Sequence, residues 1–515
     1  MTRGLNGCGS NRRRSLIGCL LLTVVAFGRT GETPVRGEAF QRGSELADRY
    51  CAVCHLRPTP ELLDKTTWRT KVLPLVKKLS GMELLDPERS PEERQALEEW
   101  RTIWEDYILV AAPDAPLPQP PRAVIHTNLT DRFDVELLSP FAAQGYATCV
   151  HIDEAARRLY LANALDRTLN VLDAAGRRLS SRTVDSTVVD LVPRGQGWLA
   201  TEIGHVVPDD RPLGRISFLP QTGDQFGEPI EVLPRLIRPI NCVPVDLDQD
   251  GRDDLLVAGF GNVAGQFCWY PNLGGGGFAE EVLFDRPGAV RARVHDWNRD
   301  GRPDLFVLMA QAREGLYVFT NQGNGRFEPR PLIERPPAWG YTYFELRDFD
   351  GDGWPDLITT NGDLGDFDSC TKNYHGLRIH LNDGAYNFRE RFFYPLNGAF
   401  KVLSRDFDMD GDLDLALISF FPDYAKSPEE SFVLLDNQGG FEFTAASFPG
   451  SWRGRWMVMD AGDLDGDGDP DLALGAAYHF AGRGPEGMIR EWKESGPSLV
   501  ILRNRLRRAD APRAE

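Results

Sequence analysis

Two kinds of hydrophobic spacing divide this chain, and they meet at one proline-rich stretch. Trp68, Val72, Leu75, Val76 and Leu79 recur every three or four residues, as do Leu97, Trp100, Trp104, Tyr107, Ile108 and Ala111. That spacing places each set on one face of a helix. Ser90, Pro91 and Glu93 mark the start of the second helix, because the serine hydroxyl and the glutamate carboxylate can satisfy amides left free at a helix end. "APDAPLPQPP", residues 112–121, ends this periodicity and is expected to be a semi-rigid spacer. Beyond it, apolar residues come in short runs such as "LLVAG", bounded by glycine, asparagine and aspartate, and these predict β-strands.

Five of the boundaries share one pattern: "DLDQDGRDD" from Asp246, "DWNRDGRPD" from Asp296, "DFDGDGWPD" from Asp348, "DFDMDGDLD" from Asp406 and "DLDGDGDPD" from Asp463. They start 50 to 58 residues apart, and each is followed by an apolar strand, a second strand ending near Asn-x-Gly, and a third. A repeat of this length signals a propeller or an array, and four short strands make one propeller blade. "RLYLANALDRTLNVLDAAGR" and "GWLATEIGHVV…GRISFLP" have the same rhythm without the aspartates, which brings the expected count to seven blades. "DRFDVELLSP" (131–140) offers a strand to close the ring.

The aspartate loops carry the chemistry of a hard cation. Oxygen ligands at positions 1, 3 and 5, a glycine at 6 for the sharp turn and a carbonyl at 7 wrap Ca²⁺ in known loops, and a carboxylate at 9 can close the shell. The expected ligands are Asp246, Asp248, Asp250, the Arg252 carbonyl and Asp254 in the first loop, and Asp296, Asn298, Asp300, the Arg302 carbonyl and Asp304 in the second. In the third they are Asp348, Asp350, Asp352, the Trp354 carbonyl and Asp356; in the fourth, Asp406, Asp408, Asp410, the Asp412 carbonyl and Asp414. Asp463, Asp465, Asp467, the Asp469 carbonyl and Asp471 complete the fifth. About five Ca²⁺ ions are therefore expected, with a structural role. Over residues 240–505 these units resemble the FG-GAP (VCBS) repeats of calcium-binding β-propellers, including those of integrin α-subunit heads.

"RYCAVCHLRP" (49–58) is a second chemical signature. Cys51-Ala-Val-Cys54-His55 has the spacing at which two thiols reach the vinyl groups of one porphyrin and the imidazole binds its iron. A zinc site would need further cysteine or histidine nearby, and none occurs between His55 and His126. A redox dithiol would need a βαβ setting, and these surroundings read as helical. Met82 is the only methionine between Met1 and Met309, so it is either the iron's sixth ligand or a core residue. Residues 40–112 resemble monohaem class I cytochromes c, with a CxxCH helix, a methionine loop and a C-terminal helix. The resemblance implies one covalent haem c, and the short interval from His55 to Met82 departs from the family pattern.

The fold expected is thus mainly β: a seven-bladed propeller of FG-GAP/VCBS repeats (122–505) preceded by a small all-α cytochrome c domain (40–112), with a linker at 113–121 and a polar tail at 506–515. A 42% hydrophobic content suffices for buried cores, and a net charge of −18 argues against nucleic acid as partner. Arg12–Arg14 and the apolar run 16–27, too short to span a bilayer, read as a signal peptide over 1–28. Export to the periplasm or the cell exterior is the consequence, with no membrane span after cleavage; "LIGC" at Cys19 leaves lipidation as an alternative. An oxidising compartment permits disulfides among Cys149, Cys242, Cys268 and Cys370, without specifying pairs.

Long connections at 361–376, 420–431 and 476–496 should emerge together on the face opposite the aspartate loops. Phe367, Tyr374, Phe421, Tyr424, Tyr478, His479 and Trp492 would form a binding surface there, or pack on one another. No hydrolase, nucleotide or phosphate motif is present. Single-electron transfer with a propeller that docks a redox partner or extracellular ligand is the expected function. A glycan- or protein-binding propeller with ancillary haem, and a haem-coupled oxidoreductase, are the alternatives.

Overall fold

In a computed structural model, which describes residues 37–53, 55–141, 145–207, 209–261, 263–365, 371–385, 387–478 and 484–506, the chain forms a seven-bladed β-propeller with a small helical region before it. The signal segment 1–28, Cys54, Phe367, Cys370, His479 and the tail beyond 506 lie outside the described residues.

Each blade is an antiparallel sheet of four strands, covering 147–183, 188–236, 239–284, 289–335, 341–395, 399–446 and 456–504. The last sheet takes its fourth strand from far upstream: Phe133–Leu138 pairs antiparallel with Leu499–Asn504. The expected closing strand is therefore confirmed, and the ring is tied by the two ends of its own sequence. Ile125–His126 adds a parallel edge to the sixth blade. The second strand of five blades, such as Asp254–Gly259 and Asp414–Ser419, is buried along its whole length. Neighbouring sheets cover both its faces, which is why these strands read as continuous apolar runs.

Polar stitches tie the innermost strands of successive blades. Asp190 accepts from the Cys242 amide (3.2 Å), Asn241 from Ala292 (2.9 Å), Glu345 from Ser404 (2.9 Å) and Asp460 from Ile152 (2.9 Å). The last of these joins the seventh blade to the first. Cys149, Cys242 and Cys268 are buried free thiols, so the disulfides the sequence permitted are not formed by these three. They serve as small apolar residues in the blade cores.

In the helical region, Glu38–Tyr50 crosses the long helix that begins at Pro91, with Gly43 at the crossing. A β-carbon at Gly43 would lie 2.8 Å from Tyr107 Cβ and 2.9 Å from the Thr102 carbonyl, so only glycine permits the approach. The Ser90 hydroxyl accepts from the Glu93 amide at 3.2 Å, as the sequence predicted. The helix over 65–79 departs from expectation. Pro74 cannot donate, and the preceding turn Trp68–Val72 widens, with the Leu73 amide bonded to the Trp68 carbonyl. One extra residue in a turn rotates the downstream side chains by about 100°. Trp68 stays buried while Leu75 and Leu79 turn out to 45% and 76% exposure.

The two parts touch. The proline-rich stretch lies against the propeller: Gln119 donates to Asn397 (3.0 Å), and Arg122 pairs with the buried Glu430 (2.6 Å). The Tyr374 hydroxyl bonds the carbonyls of Leu62 in the helical region (3.3 Å) and Ala338 (2.9 Å), and its ring stacks on Trp339. Phe133 is fully buried on the closing strand, edge-on to Phe407. Truncating a core phenylalanine costs about 3–5 kcal/mol. Phe133→Ala should lower the urea midpoint accordingly, because the loss falls on the strand that holds first and last blades together.

Candidate metal and cofactor sites

All five aspartate loops join the first and second strands of a blade, so they gather on one face of the propeller. Their local geometry repeats. The amide of the position-6 glycine (Gly251, Gly301, Gly353, Gly411 and Gly468) donates to the position-1 carboxylate at 2.9–3.0 Å. These glycines have φ between 83° and 104°, a region that side chains avoid. Position 4 is left-handed as well, although Gln249, Arg299 and Met409 occupy it in three loops. Two of these side chains reach the next loop: Gln249 donates to the Gly301 carbonyl and Arg299 to that of Gly353.

Position 9 is the anchor. Asp254, Asp304, Asp356, Asp414 and Asp471 are fully buried at the first residue of the second strand. One oxygen of each accepts from the amide at position 2 of its own loop: Leu247, Trp297, Phe349, Phe407 and Leu464. The other accepts from an asparagine amide at or just beyond the end of the third strand: Asn272, Asn321, Asn382, Asn437 and Asn504. Those asparagines in turn hold the loop, as when Asn321 Nδ2 donates to the Leu247 carbonyl of the preceding blade (3.3 Å) and Asn504 Nδ2 to Phe407 (2.7 Å). The sequence showed these residues only as Asn-x-Gly punctuation; their clamping role depends on a strand pairing that periodicity does not reveal.

Carboxylates converge within 4.8 Å in four loops. Asp348, Asp350 and Asp356 meet in the third loop, Asp406, Asp408 and Asp414 in the fourth, and Asp463, Asp465 and Asp471 in the fifth, which are positions 1, 3 and 9. In the first loop Asp246, Asp248 and Asp250 meet instead. Position 5 turns inward on its own backbone: Asp250, Asp300, Asp352, Asp410 and Asp467 accept from the amides of Arg252, Arg302, Trp354, Asp412 and Asp469. The Arg252 and Arg302 side chains also pair with Asp250 and Asp300. In the second loop Asn298 Nδ2 donates to Asp300 beside Asp296.

Without a cation these sites resist ionisation. Burial pushes Asp356 up to about 6, with Asp350 and Asp352 adding to it and the Asn382 and Phe349 amides opposing. Burial likewise raises Asp471 to about 7 against the Asn504 amide and Arg503. Asp408 and Asp414 shift upward from the same first cause. A divalent cation would reverse the balance, since oxygen clusters of this kind suit hard ions.

The residues matched by the model of an FG-GAP-like repeat are 246–307, 296–359 and 406–474, and these spans contain all five loops. The propeller carries FG-GAP repeats. None of the curated proteins matches the chain. Among solved structures, the N-terminal domain of Nup159 is similar at 12% identity, covering 76% of this chain and 99% of its own, with a TM-score of 0.43. BBS1N in complex with ARL6DN gives 11%, 76%, 99% and 0.43 on the same measures. The Pan2 WD40 domain of Neurospora crassa gives 8%, 74%, 97% and 0.42.

On the face opposite the FG-GAP loops, the long connections pack on one another. Tyr424, Tyr478 and Trp492 are buried, with Tyr424 edge-on to Trp492 at 5.0 Å. Tyr374 is covered by the helical region, and His375 is wholly buried. Tyr374, Tyr424, Tyr478 and Trp492 are therefore core rather than an exposed binding surface, and Phe421 is half-buried, because these rings lie where neighbouring loops can cover them.

In the helical region Cys51 caps the first helix and begins the turn Cys51–Val53, and it is half-buried. Burial, opposed by Arg57, raises its thiol to about 11. His55 Nδ1 lies 2.8 Å from the Leu56 carbonyl, to which the ring N–H donates. Met82 is 3% exposed, and it is not among the side chains of the core formed by Leu46, Trp68, Ile103 and Tyr107.

The position-9 clamp predicts a cost that does not need metal. Asp356→Ala strands the Phe349 and Asn382 amides, and each buried unsatisfied donor costs about 1–3 kcal/mol. Denaturation in excess EDTA should show a loss of about 2–5 kcal/mol, whereas Asp352→Ala should show clearly less.

Proposed function

We propose that the chain is an exported c-type cytochrome that passes single electrons, carried on a calcium-stabilised propeller that docks a partner protein or an extracellular ligand. A propeller with FG-GAP repeats fits a binding or docking role, and no helix among the described residues is long and apolar enough to cross a membrane.

The observation that carries the haem reading is the histidine. With Nδ1 committed to the Leu56 carbonyl, the His55 ring is oriented and its Nε2 is left to bind iron, the arrangement that metal-ligating histidines adopt. Cys51 supports the same reading from another side. Redox dithiols depend on a depressed thiol, and burial moves this one the other way, which disfavours the redox-dithiol alternative. Cys51, Cys54 and His55 would hold haem c, with Met82 as a further ligand to the iron. The group supplies a one-electron iron couple whose potential a His/Met pair raises. The chain's own part is to wall it in: Trp100 and Trp104, half-buried side by side, and Tyr50, bonded to the buried Glu99, stand beside Cys51 on the apolar core.

About five Ca²⁺ would sit in the FG-GAP loops, held by the carboxylates that converge there and by the position-7 carbonyls. Their role is structural, because each site is rooted in a clamp that joins strands of the same blade.

Expression with haem-attachment machinery should yield a c-type α-band in the reduced-minus-oxidised spectrum. Cys51→Ala should lose most of the haem that survives acid-acetone extraction; wild-type protein without covalent haem would end this reading. Ca²⁺ at 100 times its dissociation constant stabilises a one-site protein by about 2.7 kcal/mol. The thermal midpoint should therefore rise by several degrees on Ca²⁺ addition and fall back with EDTA, and Asp408→Asn should reduce the rise.

A further inference from the structure

A cavity of about 330 Å³ opens where the helical region meets the propeller, lined by Val53, Phe284, Arg286, Pro287, Met309, Gln311, Ala312 and Arg313. It is built by two segments of the propeller's long-loop face. Phe284–Pro287 leads from the third blade to the fourth, and Gln311–Arg313 joins the second and third strands of the fourth blade. Val53, between the two cysteines of the CxxCH segment, is the wall contributed by the helical region.

Both charged residues that line this cavity are cationic. Arg286 lies over the Phe284 ring at 4.5 Å, and neither Arg286 nor Arg313 has an ion-pair partner among the described residues. The neighbouring carboxylates are already engaged: Asp285 accepts from Gln266 (2.8 Å) and Glu334 from the Tyr317 hydroxyl (2.6 Å). Both arginines line this one cavity. Burial and Glu334 push the Tyr317 phenol above its ordinary range, and both Arg286 and Arg313 act on it in the opposite direction. Apart from Gln311 the rest of the lining is apolar, so the cavity offers two cationic forks together with apolar surface from Val53, Phe284, Pro287, Met309 and Ala312. Arginine forks match the geometry of carboxylate and sulfonate groups. Pockets of this size hold small organic molecules, fixed by few polar groups and filled by apolar contact.

We propose that this cavity binds a small organic anion, its acidic group between Arg286 and Arg313 and its apolar body against Phe284, Met309 and Val53. The site belongs mainly to the propeller and does not depend on haem. If the cytochrome reading holds, the bound molecule sits beside the residue that precedes the second thioether cysteine.

Isothermal titration of the full-length protein with benzoate tests the site, with the haem spectrum recorded on the same sample. Benzoate should bind one to one, and Arg286→Ala and Arg313→Ala should each weaken it about tenfold or more, the scale of one lost charge-assisted contact. Both side chains are solvent-facing or half-buried, so circular dichroism should be unchanged. Val53→Glu, at a residue 73% exposed, should weaken binding by placing a like charge at the rim. Absence of benzoate binding, or affinity unchanged in both arginine variants, overturns the proposal. Sulfate binding as tightly as benzoate overturns the part assigned to the apolar wall. A sample that binds benzoate but shows no haem refutes the electron-transfer reading and leaves this site standing.

Discussion

A carboxylate buried at the root of a loop must find hydrogen-bond donors, and that constraint organises most of this molecule. In each of five blades the position-9 aspartate takes one amide from its own loop and one from the asparagine near the end of the third strand. Three separated parts of the blade are thereby held by one side chain. In the third, fourth and fifth loops the same aspartate also joins the acidic cluster of positions 1 and 3. Folding of the blade therefore also assembles the acidic loop, and burial raises the carboxyls of Asp304, Asp356, Asp414 and Asp471 above their ordinary range. Position-4 side chains then tie one loop to the next, despite the backbone strain of a left-handed residue.

The opposite face obeys a different logic. Its long connections are rich in tyrosine, tryptophan and phenylalanine, which would favour an exposed platform if the loops stood alone. Neighbouring loops bury these rings instead, since apolar area removed from water is the largest gain on offer. Outward, the face presents the helical region, seated through Tyr374 and Leu62 and through the anchored proline-rich stretch, together with Arg286 and Arg313, which form no direct ion pair among the described residues. The helical region and the propeller thus share a surface, and it brings the CxxCH segment against a cationic recess.

Much of this was legible in one dimension. The period of 50 to 58 residues, with four short strands per unit, pointed to propeller blades, and the two aspartate-free units were visible from strand rhythm alone. The closing strand was readable at 131–140, and Ser90 marked its helix end. The CxxCH spacing is local chemistry, and so are the acidic ligand positions. The stripe through Leu75 and Leu79 was misleading, because helical periodicity assumes a constant turn and Pro74 interrupts it.

Sequence by itself determined the number of blades, the loops that carry carboxylates and the segment that carries cysteine and histidine, since each depends on residue type at short spacing. Tertiary structure alone decided which asparagine clamps which aspartate, that Cys149, Cys242 and Cys268 stay apart as thiols, that the aromatic loops are core, and that Arg286 and Arg313 face Val53. Those outcomes depend on which separated segments are brought into contact as the blades form and the ring closes, and no local pattern encodes such a pairing, whether within one blade, as for Asp304 and Asn321, or between remote parts of the chain, as for Val53 and Arg286.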